Sequence, residues 1–386
     1  MTPRLPPMPW AMLAAGCLAM FAASSSGTTR APFLLDMARD LSVSLPLVAN
    51  LMAATSIAWG VSSLAAGAGS DRFGRRPFLV GAPLGLAACL VLLSLAGSYP
   101  GAALWATAAG ACAGAFTGVI MAEASARTVN QQRGRALGWI MAGQSLALLV
   151  GVPLAAWMGT WLSWRGVHQV VAGVAVLAAL GLFATTLRPA PDAGGGGPRA
   201  SLRGAMTPPV LRLLAMGVAE RICYGLTVVY FATFLQVTYG LSPAGVALPL
   251  AVFAIGNILG TVLGGQVADR LPDRSRSFAW AMLAAGAAAI LLFGWTPGLL
   301  GTVAFGFLYA LVSAVARPPL MAALANVPDH VRGTVLGLNV TSASIGWLGA
   351  ASLGGWIMAG VGFWGFGPFA AAMALMGAVL ALTGRR

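Results

Sequence analysis

The residues with chemistry to offer stand apart from their surroundings. Glu220 and Arg221 interrupt an apolar run over residues 209–236, Arg317 one over 299–325, Glu123 one over 101–126 and Arg30 one over 9–33. A charged side chain at the centre of such a run costs about 3 kcal/mol on insertion scales, so each is a candidate for handling a substrate or an ion. A carboxylate between guanidiniums can hold or release a proton, and a surplus of guanidiniums attracts anions. Uncharged polar candidates are Ser25, Thr28 and Thr29 of "SSSGTT", Gln144, Tyr224, Tyr230 and Asn257. Serines and threonines inside an apolar helix often bond their own backbone, so only part of that run is free for a ligand.

Other chemistry is hard to assemble. The two histidines, His168 and His330, read as loop residues on opposite sides, and there is no nucleophile–base set or pair of carboxylates. Cys17, Cys89, Cys112 and Cys223 lie inside apolar segments without metal spacing and read as small buried hydrophobes. The expectation is a protein with no enzymatic activity, no cofactor and no metal. All 22 basic residues are arginine, and no phosphate-binding Gly-x-x-x-x-Gly-Lys sequence exists, which excludes an ATP-driven pump of that type.

The elements that must position these residues are membrane helices. Hydrophobic residues make up 59% of the 386 positions, charged residues 8%, and mean hydropathy is +0.85. About 20 mainly apolar residues cross a bilayer. Twelve such stretches follow, over residues 9–33, 44–68, 77–97, 101–126, 136–160, 167–188, 209–236, 243–268, 277–296, 299–325, 333–358 and 362–383. The fold class is therefore an all-α membrane protein. "RPAPDAGGGGPRASLRGAMTPP", rich in glycine and proline, separates the sixth from the seventh. This predicts two six-helix bundles, 1–188 and 209–386, joined by a linker over 189–208.

The formal charge of +13 does not indicate nucleic-acid binding, because the arginines occupy short breaks between spans. They crowd the even-numbered breaks and both ends, whereas the odd-numbered breaks hold little beyond Arg39 and Arg165. The asymmetry predicts cytoplasmic termini and linker. Arg4 and "LAAGC" suggest a lipoprotein signal, but Leu13 is one position too far from Cys17 and the apolar run continues to about Ala31, so the first span is expected to be retained.

The halves repeat. Ser44 matches Ser242 and Asp71-Arg72 matches Asp269-Arg270 at an offset of 198, while "RGRALG" (133–138) matches "RGTVLG" (332–337) at 199. An even number of spans per copy gives a parallel repeat about an axis along the membrane normal. An aspartate at the same loop position in both copies, with Gly67 and Gly74 around the first, exceeds what topology alone requires.

"GAGSDRFGRRPFL" (67–79) and its degenerate copy "GGQVADRLPDRSR" (264–276) resemble the loop signature of the major facilitator superfamily. The resemblance covers the whole chain. It implies that Gly67, Asp71, Arg72, Gly74, Arg75 and Arg76, with Asp269 and Arg270, form a conformational gate. Asp71 would cap span eleven near Gly333, and Asp269 span five near Gly134, each helix N-terminus contributing about 0.3–2 kcal/mol. It also implies that spans one, four, seven and ten line a central cavity. "GVPLAAWMGTWLSWRGV" (151–167), "RPPLMAAL" (317–324) and "VPDHVRG" (327–333) resemble the drug and sugar efflux branch. Val152 splits the Gly-Pro pair of the fuller antiporter motif, and span four lacks the arginine many proton antiporters carry in its first half.

Within this frame Glu123 and Arg127, one helical turn apart, read as a pair feeding the gate. Arg30 either reaches the headgroups or faces the cavity. Glu220 and Arg221 are about 100° apart on their helix, so Glu220 is expected to pair with Arg317, at similar depth, and Arg221 to face the ligand. The function expected is a secondary active transporter working by alternating access, exporting a small organic solute in exchange for protons. The alternatives are an organic-anion symporter or exchanger and, outside transport, a receptor or scaffold. The expected partners are a small-molecule substrate, protons and the lipid bilayer, with no nucleic acid. The expected setting is a monomer in a bacterial inner membrane.

Overall fold

The computed structural model describes residues 8–187, 206–271, 273–327 and 329–383, so most of the expected linker lies outside it. A few side chains within helices, those of Asp71 and Gly333 among them, also lie outside the described residues. Among the described residues, twelve helices are long and apolar enough to cross a membrane: α1 Trp10–Asp40, α2 Leu45–Gly67, α3 Arg76–Ser94, α4 Tyr99–Ala126, α5 Gln132–Met158, α6 Trp164–Thr185, α7 Pro208–Tyr239, α8 Ala244–Arg270, α9 Arg274–Gly294, α10 Leu299–Ala325, α11 Gly337–Val361 and α12 Phe363–Thr383. The first runs further than the hydropathy suggested. A 3-10 turn at Ala31–Phe33 carries it past Arg30 into Leu34–Asp40.

Packing divides the chain into two compact units. Unit 1 is Met1–Arg30, Asp40–Ser42 and Ala54–Gly196; unit 2 is Ala31–Arg39, Val43–Ala53 and Gly197–Arg386. In unit 1, α1 packs on α5 and α6, and α3 on α4 and α6. In unit 2, α7 packs on α11 and α12, and α9 on α10 and α12. Every one of these pairings recurs six helices later, as a duplicated bundle requires. The core of unit 1 gathers Leu13, Met20, Leu79, Phe116, Ile120 and Leu182; that of unit 2 gathers Met216, Phe278, Met282, Leu320 and Leu324.

Lipid supplies no hydrophobic drive between helices, so close backbone approach must hold the bundles. Glycines four residues apart provide it. A Cβ at Gly110 or Gly114 of α4 would stand 2.2 Å from the carbonyl oxygens of Thr55 and Trp59 on α2. In unit 2 the same crossing reverses the roles. Gly256, Gly260 and Gly264 sit on α8, where a Cβ would fall 2.6, 2.0 and 2.6 Å from the carbonyls of Phe307, Leu311 and Val315 on α10. The duplication kept the crossing and exchanged which helix carries the glycines.

Proline breaks the ladder where shape changes. α5 opens into a π-helical turn at Ala147–Gly151 just before Pro153, and α10 bends at Ala316 before Arg317-Pro318-Pro319.

Candidate functional site

The turn of α7 that carries charge lies against α10 and α11. Glu220 is buried, with one carboxylate oxygen 3.7 Å from Arg317 Nε and the other 3.4 Å from Arg221 Nε. The pairing with Arg317 was expected. That with Arg221 corrects the reading that neighbouring residues must diverge, because a guanidinium on a long flexible stem swings back across the 100° between them. Both contacts exceed the 2.7–2.9 Å usual for a charge-assisted hydrogen bond, so neither arginine is closely committed. Nε and Nη2 of Arg317 are buried and find no hydrogen-bond acceptor among the described residues.

Tyr224, one turn along, is buried between the cations. Its ring centroid is 5.8 Å from Arg221 Cζ and 5.2 Å from Arg317 Cζ, and the Trp347 ring meets it edge-on at 5.9 Å. α11 comes this close because it presents glycine: a Cβ at Gly346 would lie 2.3 Å from Arg221 Cβ. A turn below, Asn339 and Ser342 flank Gly217, and the Asn339 amide donates to Met321 Sδ at 3.5 Å. From α10, the Tyr309 hydroxyl donates to the Cys223 carbonyl at 2.7 Å, fixing α10 beside the cluster. Sequence reasoning missed Trp347, Asn339 and Ser342. Asn339, Ser342 and Gly346, three and four residues apart, mark one helix face and were a readable signal, whereas Trp347 follows Gly346 directly and stands off that spacing.

A second charged group lies in unit 1. Glu123 is buried and bridges Arg127 Nε at 2.7 Å and Arg75 Nη1 at 3.3 Å, which joins the α4 terminus to the arginine loop. Glu123 and Arg127 thus pair as expected. Shifted by 199 residues, the same contact recurs in unit 2 as Arg274 donating to the Ala322 carbonyl at 3.1 Å. The arginine is kept while the carboxylate has become an alanine. Gly74 takes φ +82°, which a glycine adopts without strain and which lets the loop reverse. Asp269 and Arg270 are exposed; Asp269 borders a cavity of about 640 Å³ with Asp273, Arg274 and Asn326.

The remaining candidates lie within their own units. Arg30 belongs to unit 1 and is 0% exposed, so it does not reach the headgroups. Its Nη1 donates to Thr55 Oγ1 at 2.7 Å, and that hydroxyl donates to the Ala106 carbonyl at 3.1 Å. The hydroxyls of Thr28 and Thr29 donate to the carbonyls of Ser24 and Ser25, so they serve their own helix, and Ser25 is buried against α5 at Gly151. Gln144 and Asn257 are half-buried. His168 corrects its loop assignment: it is wholly buried in α6, with Nδ1 2.7 Å from the Trp164 carbonyl.

The model of the Major Facilitator Superfamily matches residues 16–275 and 213–386. The chain belongs to this family. It is therefore a transporter, not an enzyme, and an integral multi-pass membrane protein. Among family members it is similar to a chloramphenicol resistance protein of Streptomyces lividans, 28% identical over 302 residues, 78% of this chain and 76% of that one. It is 26% identical over 273 residues to an inner membrane transport protein of Escherichia coli, covering 69% of this chain and 67% of that one. A probable sugar efflux transporter of Helicobacter pylori is 32% identical over 180 residues, 46% of this chain and 44% of that one. In fold it matches the crystal structure of a bacterial homologue of the human lysosomal transporter Spinster, in an inward-facing and unoccupied conformation. The TM-score is 0.71 at 17% identity, over 97% of this chain and 93% of that one.

Proposed function

We propose that this family member is a secondary active transporter working by alternating access, which couples proton movement to passage of a small organic solute through the α7 cluster. The observation that carries this is Glu220: a buried carboxylate inside a membrane span, held loosely by two arginines. Such a group can change protonation when a ligand or a helix movement takes one arginine away. In this reading Glu220 carries the proton, Arg221 and Arg317 meet the solute, and Gly67, Asp71, Arg72, Gly74, Arg75, Arg76, Asp269 and Arg270 act with Glu123 and Arg127 as the conformational gate. The resistance and efflux relatives favour export from a cell, with protons entering in exchange across a bacterial inner membrane.

One observation favours a second reading, cotransport of a proton with an organic anion. The cluster holds two guanidiniums to one carboxylate, and an anion seated on Arg317 would loosen Glu220 and favour its protonation. Flux into proteoliposomes under an imposed pH gradient separates the two. Exchange is driven by protons moving against the solute, cotransport by protons moving with it. In either case Glu220→Gln abolishes gradient-driven flux and spares counterflow. Gradient-driven flux that survives the change removes Glu220 from the coupling step.

A further inference from the structure

We infer that the ligand of the α7 cluster is a small planar aromatic carboxylate. The inference rests on reading this cluster as the solute site, and it holds for either direction of coupling. The charge count comes first. Arg221 and Arg317 face Glu220, the one carboxylate that the described residues place within ion-pair distance of either, so the ionised cluster carries one net positive charge. Within a membrane span an uncompensated charge is costly, and one added anion brings the site to neutrality.

Donor capacity comes second. A guanidinium offers five N–H groups in a flat fork that matches a carboxylate. Among the described residues, Arg317 uses its Nε only in a loose 3.7 Å ion pair, and its Nε and Nη2 have no hydrogen-bond acceptor. Yet the Arg317 side chain is 29% exposed and that of Arg221 17%, against 5% for Glu220. The guanidinium side chains are partly exposed and the carboxylate is not, although Nε and Nη2 of Arg317 are themselves buried and must turn outward to take a ligand. Contact with the cations before Glu220 selects against positively charged ligands.

Aromatic surface comes third. Trp347 is half-buried, packs on Tyr224 at a near-right angle, and follows the glycine that lets α11 approach Arg221. Its indole, joined through Tyr224 to both guanidiniums, supplies aromatic surface to the cluster. Asn339 and Ser342, one to two turns before it on α11, add polar capacity beside Gly217. A ring on Trp347 with its carboxylate on Arg317 uses the groups that the fold leaves underused.

The test uses full-length protein purified in detergent and four probes. Benzoate carries ring and charge, benzamide the ring without charge, benzylamine the opposite charge, and hexanoate the charge without the ring. Equilibrium binding should favour benzoate over benzamide and benzylamine by at least tenfold, and over hexanoate by several-fold. Arg317→Gln should erase the preference for benzoate over benzamide, while Arg317→Lys keeps part of it. Trp347→Leu should erase the preference for benzoate over hexanoate alone. Melting curves confirm that each variant is folded. Equal binding of benzoate, benzamide and benzylamine, binding of none of the four, or an unchanged preference in Arg317→Gln overturns the assignment. Benzoate that binds with this pattern but shows no counterflow in proteoliposomes keeps the ligand class and removes the transport reading. Proton-driven flux of another solute that needs Glu220, without the benzoate preference, does the reverse.

Discussion

Glu220 is held by two arginines that share it unequally in reach: Arg221 is its own neighbour and Arg317 arrives from α10. This makes the cost of losing each member different. Removing the carboxylate leaves two guanidiniums facing one another in a membrane span, whereas removing Arg317 leaves Glu220 with Arg221. We expect Glu220→Gln to lower unfolding stability by an amount on the order of 1–3 kcal/mol, within the range for broken buried networks. Arg317→Gln should cost less, and the double variant should recover part of the loss. Melting midpoints of the three purified proteins, read as a double-mutant cycle, check this; additive losses would mean that the two side chains do not interact. The ionisable residues themselves were legible in the sequence, because charge is conspicuous in an apolar run. Their partners were only half legible. Depth along a helix follows from counting, which placed Arg317 beside Glu220, but side-chain reach does not, which hid the Arg221 contact. Arg30 shows the same limit: counting located it near the end of an apolar run, and only packing shows it enclosed with Thr55.

Elements were legible where hydropathy alone decides them. Twelve apolar stretches became twelve helices among the described residues, but the loop signature is mostly helical: the second helix continues through Phe73, and only Gly74 and Arg75 separate it from α3. The signals that failed were those that hydropathy cannot carry. The 3-10 turn at Ala31–Phe33 keeps α1 going through polar residues, and His168 is held in α6 with Nδ1 against the Trp164 carbonyl one turn earlier. Glycines four residues apart announce close helices only in general; which helix lies opposite comes from the fold. That distinction yields a sharp test. Gly260 and Gly265 both lie in α8, yet a Cβ on the first would stand 2.0 Å from the Leu311 carbonyl and one on the second meets nothing within 4 Å. Gly260→Ala should force α8 and α10 apart at a cost of about 1–3 kcal/mol, as overpacking does. Gly265→Ala should leave stability unchanged or raise it slightly through helix propensity. Thermal melting with size-exclusion profiles distinguishes them, and equal behaviour of the two variants would refute the crossing.

At the scale of the whole molecule, the repeat separates scaffold from function. The pairings of α1 with α5 and of α3 with α6 recur as α7 with α11 and α9 with α12, whereas Glu220, Arg221 and Arg317 fall where the first copy has Phe21, Ala22 and Gly118. Symmetry is retained for assembly and broken for chemistry. Unit 2 also takes in Ala31–Arg39 and Val43–Ala53, segments that the sequence repeat would assign to the first bundle. They are held by specific contacts. Gln236 Nε2 donates to the Pro32 carbonyl at 2.7 Å, Ser352 Oγ to Asn50 Oδ1 at 2.9 Å, and Pro46 lies where a Cβ on Gly355 would come within 3.0 Å. Few contacts of this kind hold a conformation without locking it, since each hydrogen bond contributes about 0.5–1.5 kcal/mol net. If transport proceeds by alternating access, these contacts must open once per cycle. Asn50→Cys with Ser352→Cys, placed in a chain whose four native cysteines are replaced by serine, should be bridged by a short bifunctional thiosulfonate reagent, because the paired side chains touch at 2.9 Å. Counterflow should stop on cross-linking and return on reduction, while the single cysteine variants respond to neither. Full counterflow through the cross-linked protein would show that α2 and α11 stay together throughout the cycle, and the opening would then have to be sought at another pair of helices.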